Sequence, residues 1–123
     1  MKIFGFKKHT NILKYLEKVS ISIICSRWEE PFGRTSLEAA SRGSAIIMSN
    51  RGGLPETTNY GIKLDNLNSS EIFKKVDFLI NNKAERLTLQ KKIYKDFKYT
   101  HEFIANKIDN IRKVFNENIL RFI

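Results

Sequence analysis

Short apolar runs alternate with polar stretches along the first half of the chain. Residues 21–25 and 45–48 are almost continuously apolar and rich in isoleucine, which is typical of strands buried on both faces of a parallel sheet. Two shorter apolar runs, at residues 3–4 and 61–64, predict a first and a last strand. The pattern therefore predicts three or four strands.

Apolar residues at helical spacing separate these runs. Residues 12–19 predict an amphipathic helix with Thr10 or Asn11 as its N-cap, and residues 35–42 predict a short helix that Gly43 ends. Strands and helices that alternate with short connections predict βαβ units. Such units build a parallel sheet with right-handed crossovers.

The second half of the chain is helical in pattern. One helix follows Ser69 or Ser70, a second is indicated around residues 87–97, and a third starts near His101. The third helix has an apolar stripe at three- and four-residue steps: Ile104, Ile108, Ile111, Phe115 and Ile119.

Length and composition agree with one domain. The 123 residues are 41% hydrophobic, which supports a buried core and argues against disorder. We expect an α/β fold, with a partial Rossmann-like parallel sheet and flanking helices over residues 1–67 and a helical C-terminal region over residues 68–123. The single cysteine, Cys25, excludes an internal disulfide and is expected in the core. No apolar run approaches the roughly 20 residues of a membrane span, and no signal-peptide segment is found, so a cytoplasmic protein is expected.

The net charge of +9 attracts polyanions such as nucleic acid, anionic lipid head groups or a phosphorylated small molecule. The lysines are spread along the chain, so a solvated basic surface with no single partner is an alternative. Tyr94 and Phe97 interleave with lysines, yet both fall on one apolar helix face. This placement favours a packed helix over a nucleic-acid surface.

The candidate chemistry lies between residues 26 and 56, where Glu30 is followed by Glu38 after seven residues. Glu30 precedes a proline near the carboxyl end of a predicted strand, the edge at which open parallel sheets bind ligands. Gly33 has no Cβ and permits close approach to a ligand. The first amides of the helix that follows form an anion site suited to phosphate: those of Arg34, Thr35 and Ser36.

Two carboxylates beside a phosphate site leave two interpretations open. Carboxylates accept hydrogen bonds from sugar hydroxyls, so a nucleotide-sugar would engage both acids and the helix terminus. Alternatively, Glu30 and Glu38 are surface acids that the helix macrodipole favours. Glu29 has no matching acid eight positions on and is interpreted as a solvated neighbour. His9 and His101 have no partner at metal-ligand spacing, so no metal site is expected.

The wider pattern resembles a known family. Residues 30–40 resemble the E-x₇-E element of retaining GT-B glycosyltransferases of family 4, the group 1 glycosyltransferases. Residues 52–56 are similar to the Gly-Gly-apolar-Pro-Glu loop of that family. The resemblance covers residues 3–67 and implies half of the C-terminal, donor-binding domain. It departs from the family at Cys25 and Ser44, where proline is frequent.

The resemblance implies roles for the site residues. Glu30 would be the catalytic residue that holds hydroxyls of the donor hexose and stabilises the reacting centre without attacking it. Glu38 would bind the ribose hydroxyls. The remaining contacts would come from the motif's backbone amides: Phe32 and Gly33 for the sugar, and Thr35 and Ser36 for the diphosphate.

The resemblance also implies an activity and partners. The family transfers a hexose from a nucleoside-diphosphate sugar to an acceptor, with retention and without a required metal or cofactor. Its amino-terminal acceptor domain has no counterpart in this sequence, so the chain alone is expected to be inactive. Two alternatives are a non-catalytic chain that completes or regulates a separate glycosyltransferase subunit, and a basic module for nucleic acid or the inner face of an anionic membrane.

We also expect a homodimer. The apolar stripe that begins near His101 is longer than a half-sheet can cover, and the strand predicted at residues 3–4 would leave an open sheet edge. Exposed apolar surface and open strand edges both tend to find partners.

Overall fold

The computed structural model describes residues 3–120, with side chains described as far as residue 117. Eight regular elements follow one another over this range: α1 (His9–Leu16), β1 (Ile21–Ile24), α2 (Arg34–Ser41), β2 (Ala45–Ser49), β3 (Ile62–Leu64), α3 (Ser69–Asn81), α4 (Lys83–Asp96) and α5 (His101–Leu120).

The three strands form one parallel sheet in the order β1-β2-β3. Ile21 pairs with Ala45, and Ile47 pairs with Ile62. Helix α2 connects β1 to β2, whereas β2 and β3 are joined by a loop that holds a 3₁₀ turn at Leu54–Glu56. The predicted α/β fold is confirmed, with its partial Rossmann-like parallel sheet, flanking helices and helical C-terminal region.

Strand β2 is the centre of the core, and all five of its residues are buried. Its side chains alternate between two layers, as the pleat of a strand requires. One cluster joins β2 to α2 and α4: Ala39, Ala40, Ile46, Met48, Leu54 and Ile93. The other joins β2 to β3 and α3: Ala45, Ile47, Leu64 and Leu79. Helices on both faces therefore hold the sheet, and the loops at its carboxyl edge start from a rigid support.

The predicted first strand, at residues 3–4, is wrong. Ile3 is 82% exposed, and neither residue belongs to the sheet. Two apolar residues followed by Gly5 make too few ladder hydrogen bonds and bury too little surface to hold a strand. The Phe4 ring instead lies 4.9 Å from the Tyr15 ring of α1, measured between centroids.

Two helices begin elsewhere than predicted. Helix α1 begins at His9, so Thr10 and Asn11 lie inside its first turn and do not cap it. Helix α3 is capped by Asn68, one residue before the predicted serines. The Asn68 side-chain oxygen accepts a hydrogen bond from the Glu71 N–H at 2.8 Å. Asparagine in extended backbone is as good an N-cap as serine. With Asn68 as the N-cap, α3 begins only one or two residues before the predicted start.

Helix α5 exposes most of the predicted apolar stripe. Ile108, Ile111 and Phe115 are exposed, Phe115 by 63%. Ile119 lies outside the residues whose side chains are described. Within residues 3–120, no helix is long and apolar enough to cross a bilayer.

Candidate functional site

The loops that follow β1 and β2 meet at the carboxyl edge of the sheet. Because β1 and β2 are adjacent and parallel, the segments after them leave the sheet side by side. The Gly53 amide donates to the Glu30 carbonyl oxygen over 2.6 Å. Glu30 therefore lies directly beside the loop of residues 50–59.

Gly52 and Gly53 permit this contact because they have no Cβ. A Cβ on Gly52 would lie 2.6 Å from the Glu30 amide nitrogen and closer still to its carbonyl oxygen. A Cβ on Gly53 would lie 2.7 Å from the Pro31 carbonyl oxygen. Gly52 also has a φ of 52°, in the left-handed region that favours glycine. The glycine pair thus allows two loop backbones to touch.

Glu29 fastens the same two loops together. Its Oε2 accepts the Gly52 N–H at 2.6 Å, and its Oε1 accepts from Nη1 of Arg51 at 3.2 Å. The side chain is 69% exposed, as expected of a solvated residue, but the sequence interpretation missed its structural role. The motif pattern contains no signal for this role, because the partner of Glu29 is a backbone amide far along the chain.

Gly33 is the N-cap of α2 and has a φ of 81°. A Cβ there would lie 2.6 Å from Cδ2 of Leu54, so the glycine permits close packing against the protein itself. No group in the described part of the chain accepts a hydrogen bond from the amides of Arg34 and Thr35. These two donors form the open amino terminus of the helix.

Ser36 differs from its two neighbours. Its amide donates to the Gly33 carbonyl oxygen at 3.0 Å, so this donor is already used. Its buried hydroxyl lies 2.7 Å from the Thr57 hydroxyl, which in turn donates to the Leu54 carbonyl oxygen at 2.7 Å. Ser36 therefore anchors α2 to the 3₁₀ turn.

Glu38 lies one turn into α2, with a side chain that is only 17% exposed. Its Oε1 accepts two hydrogen bonds, from Nε2 of His9 at 2.9 Å and from Nε of Arg34 at 3.0 Å. Sequence reasoning missed His9, because it lies 29 residues before Glu38 and in no motif. The one available signal is topological: the helix before β1 and the helix after it pack as neighbours.

The family of the chain follows from its match to a known protein family. Residues 1–96 match the sequence model of the family described as Glycosyl transferases group 1, which is more than three quarters of the chain. The chain belongs to this family.

Two curated relatives support the membership. Glycogen synthase of Mycobacterium tuberculosis, in strains CDC 1551 and H37Rv, is 37% identical over 60 residues, which are 49% of this chain and 14% of the relative. Spore coat protein SA of Bacillus subtilis strain 168 is 31% identical over 90 residues, which are 70% of this chain and 24% of the relative. The chain thus spans about a seventh to a quarter of the length of these relatives.

An aromatic contact joins the motif loop of this family member to the helical region. The exposed Phe32 ring meets the Tyr99 ring edge-on, with 6.2 Å between centroids. The Tyr99 hydroxyl donates to the Glu56 carbonyl oxygen at 3.0 Å, and its ring also contacts Phe103 at the start of α5. The segment before α5 therefore supports both loops of the site.

Cys25 packs beside the core cluster of β2, β3 and α3. Burial disfavours its thiolate and raises the pKa of the thiol above its ordinary value. An activated nucleophile requires the opposite shift. Within residues 3–120, the structure has no group of three or more His, Cys, Asp or Glu side chains arranged to hold a metal ion.

Proposed function

We propose that this chain is the donor-binding part of a retaining GT-B glycosyltransferase of family 4, which transfers a hexose from a nucleoside-diphosphate sugar to an acceptor. One observation is the main support. Along the chain, the open amides of Arg34 and Thr35 come between two acids, Glu30 in the preceding loop and Glu38 one turn into the helix. An anion site between two acceptors suits a ligand that has both phosphates and hydroxyls.

The start of α2 supports diphosphate binding. The helix dipole places about half a positive charge at this end. The guanidinium of Arg34 lies at the first helical position, pairs with Glu38 through its Nε, and is 76% exposed, so its terminal nitrogens remain accessible to an anion. In this proposal Arg34 and Thr35 contact the diphosphate directly. Ser36 contributes by fixing the helix through Thr57, because its own amide is occupied.

The two acids divide the sugar hydroxyls between them. Glu38 accepts from the ribose, and Glu30 accepts from the hexose near its anomeric carbon, with the Phe32 and Gly33 backbone beside it. When the bond from the anomeric carbon to the diphosphate breaks, negative charge builds on the departing diphosphate. The preorganised donors at the start of α2 stabilise that charge. Glu30 acts by position and electrostatics and forms no covalent bond.

Nucleotide titration tests this proposal. We expect UDP or GDP to bind with millimolar affinity or weaker and to shift the amide NMR signals of Arg34 and Thr35. Glu38→Ala should weaken binding about tenfold, the loss expected of a hydrogen bond to a charged group. Glu85→Ala, which removes an exposed acid from α4, is the matched control and should leave the nucleotide affinity unchanged. Shifts confined to α3, α4 and α5 would contradict the assignment.

We further propose that the 123-residue chain does not turn over its donor. Catalysis of this type requires two domains to close around donor and acceptor. The chain should therefore release no sugar from UDP-, GDP- or ADP-hexoses. Donor hydrolysis that disappears in Glu30→Ala would show that the chain is catalytically competent by itself.

A further inference from the structure

We propose that His9 is a positioning residue of the donor site, which holds the Glu38 carboxylate in the orientation that recognises a ribose. The inference rests on the proposed function and adds a residue to it. His9 lies at the first position of α1, outside the motif that contains Glu38. It reaches Glu38 across the interface of α1 and α2.

The hydrogen-bond inventory of Glu38 shows what His9 does. An ionised carboxylate only accepts hydrogen bonds, so the Nε2 atom of His9 must be the donor. Each carboxylate oxygen has about two acceptor positions. His9 and Arg34 together use both positions on Oε1. Within the described chain, Oε2 has no partner and is the atom available to a ligand hydroxyl.

His9 and Arg34 constrain Glu38 differently. Arg34 is four residues away on the same helix and is 76% exposed, so its bond does not tie the Glu38 carboxylate to another element of the fold. His9 belongs to another helix and ties the carboxylate to a second element of the fold. With both donors in place, Oε1 faces α1 and Oε2 has one fixed direction. A fixed acceptor gains more from a ribose hydroxyl than a mobile one, because less side-chain freedom is lost on binding.

The His9 side chain is 49% exposed, so solvent weakens the contribution of its contact with Glu38 to folding. The loss of His9 should therefore change ligand discrimination much more than stability. The discriminating ligand is a 2′-deoxynucleoside diphosphate, which has the same phosphates and base as its ribonucleotide but one hydroxyl fewer. A purely structural role of His9 would change the affinity for both ligands by the same factor.

The test compares UDP with 2′-deoxy-UDP, and GDP with 2′-deoxy-GDP, by NMR titration of the full 123-residue chain. We expect the wild-type chain to prefer the ribonucleotide by roughly tenfold, which corresponds to one hydrogen bond to a charged group. His9→Ala should bring the two affinities within about twofold by weakening the ribonucleotide alone. His9→Gln, whose amide can still donate, should keep part of the preference. His101→Ala replaces the second histidine and should leave it intact.

Three further outcomes test this inference and separate it from the proposed function. Combining His9→Ala with Glu38→Ala should lower the preference no more than Glu38→Ala alone, because His9 acts through Glu38. An unchanged preference in His9→Ala, with nucleotide still bound at the start of α2, would overturn the role of His9 and leave the proposed function standing. Failure of every nucleotide to bind wild-type chain would overturn both.

Discussion

Substituting alanine for glycine at four positions tests how the two loops of the site are held together. Gly52→Ala adds a methyl group against the Glu30 backbone and also forces alanine to adopt a φ of 52°. Gly53→Ala adds a methyl group 2.7 Å from the Pro31 carbonyl oxygen, but Gly53 has an ordinary φ of −80°. Gly43→Ala meets only ordinary contacts at 3.7 Å but has a φ of 71°. Gly5→Ala has no neighbour within 4 Å.

The series separates steric overlap from backbone strain. Left-handed backbone costs alanine about 1–2 kcal/mol, offset by roughly 0.4–1 kcal/mol from the smaller freedom of its unfolded chain. Gly43→Ala should therefore lower the free energy of unfolding by about 1 kcal/mol. Gly53→Ala should cost about 1–3 kcal/mol through overlap alone. Gly52→Ala combines both effects against backbone atoms that cannot rotate away, so we expect about 3 kcal/mol or more.

Urea unfolding, followed by circular dichroism, measures these differences. A domain of this size has about 5–15 kcal/mol of stability, so Gly52→Ala should still fold and give a complete transition. Gly5→Ala is the control and should stay within about 0.5 kcal/mol of the wild-type chain. If Gly52→Ala were no more destabilising than Gly43→Ala, the close approach of Gly52 to Glu30 would be refuted, and with it the account of why this loop contains two glycines.

Three shorter predictions concern other parts of the chain. Ser36→Ala should lower the free energy of unfolding by about 1–3 kcal/mol, because Thr57 loses its buried donor, whereas the exposed control Thr35→Ala should lie within about 0.5 kcal/mol. Cys25 should react with iodoacetamide at pH 8.5 more slowly in the folded chain than in urea, since its raised pKa keeps the thiol protonated; equal rates would contradict this. Analytical ultracentrifugation at tens of micromolar should show a dimer that Phe115→Lys dissociates, because α5 exposes an apolar face; a wild-type monomer would mean that this face needs no partner.

The local pattern of apolar and polar residues predicted most of the helices and strands. The runs at 21–25 and 45–48 differ from β1 and β2 by one residue at the carboxyl end. The expected burial on both faces is right for β2 but wrong for β1, which lies at the edge of the described sheet and leaves Ile23 48% exposed. Gly43 ends α2 with a φ of 71°, as its place after an amphipathic run indicated. The order of motifs was equally informative, since it indicated the family whose model residues 1–96 match.

The sequence interpretation failed where a segment was too short for its pattern to be specific. Residues 3–4 have the apolar character of a strand, yet two residues cannot supply the ladder hydrogen bonds and the buried surface that a strand requires. The start of α1 was misplaced because Thr10 and Asn11 are good caps in general, whereas the packing of α1 against α2 favours a helix that begins at His9.

Only the tertiary structure decided how the candidate site is held in place. Glu30 and Glu38 belong to one continuous motif, so the sequence by itself was enough to propose both as site residues. The contacts of Glu38 with His9 and of Glu29 with Gly52 join residues 29 and 23 positions apart. These groups meet because α1 packs against α2, and because the loops after the adjacent parallel strands β1 and β2 leave the sheet side by side. Hydrophobic periodicity indicates which face of a helix or strand is buried. It contains no information on which polar group of a neighbouring element a surface side chain will contact.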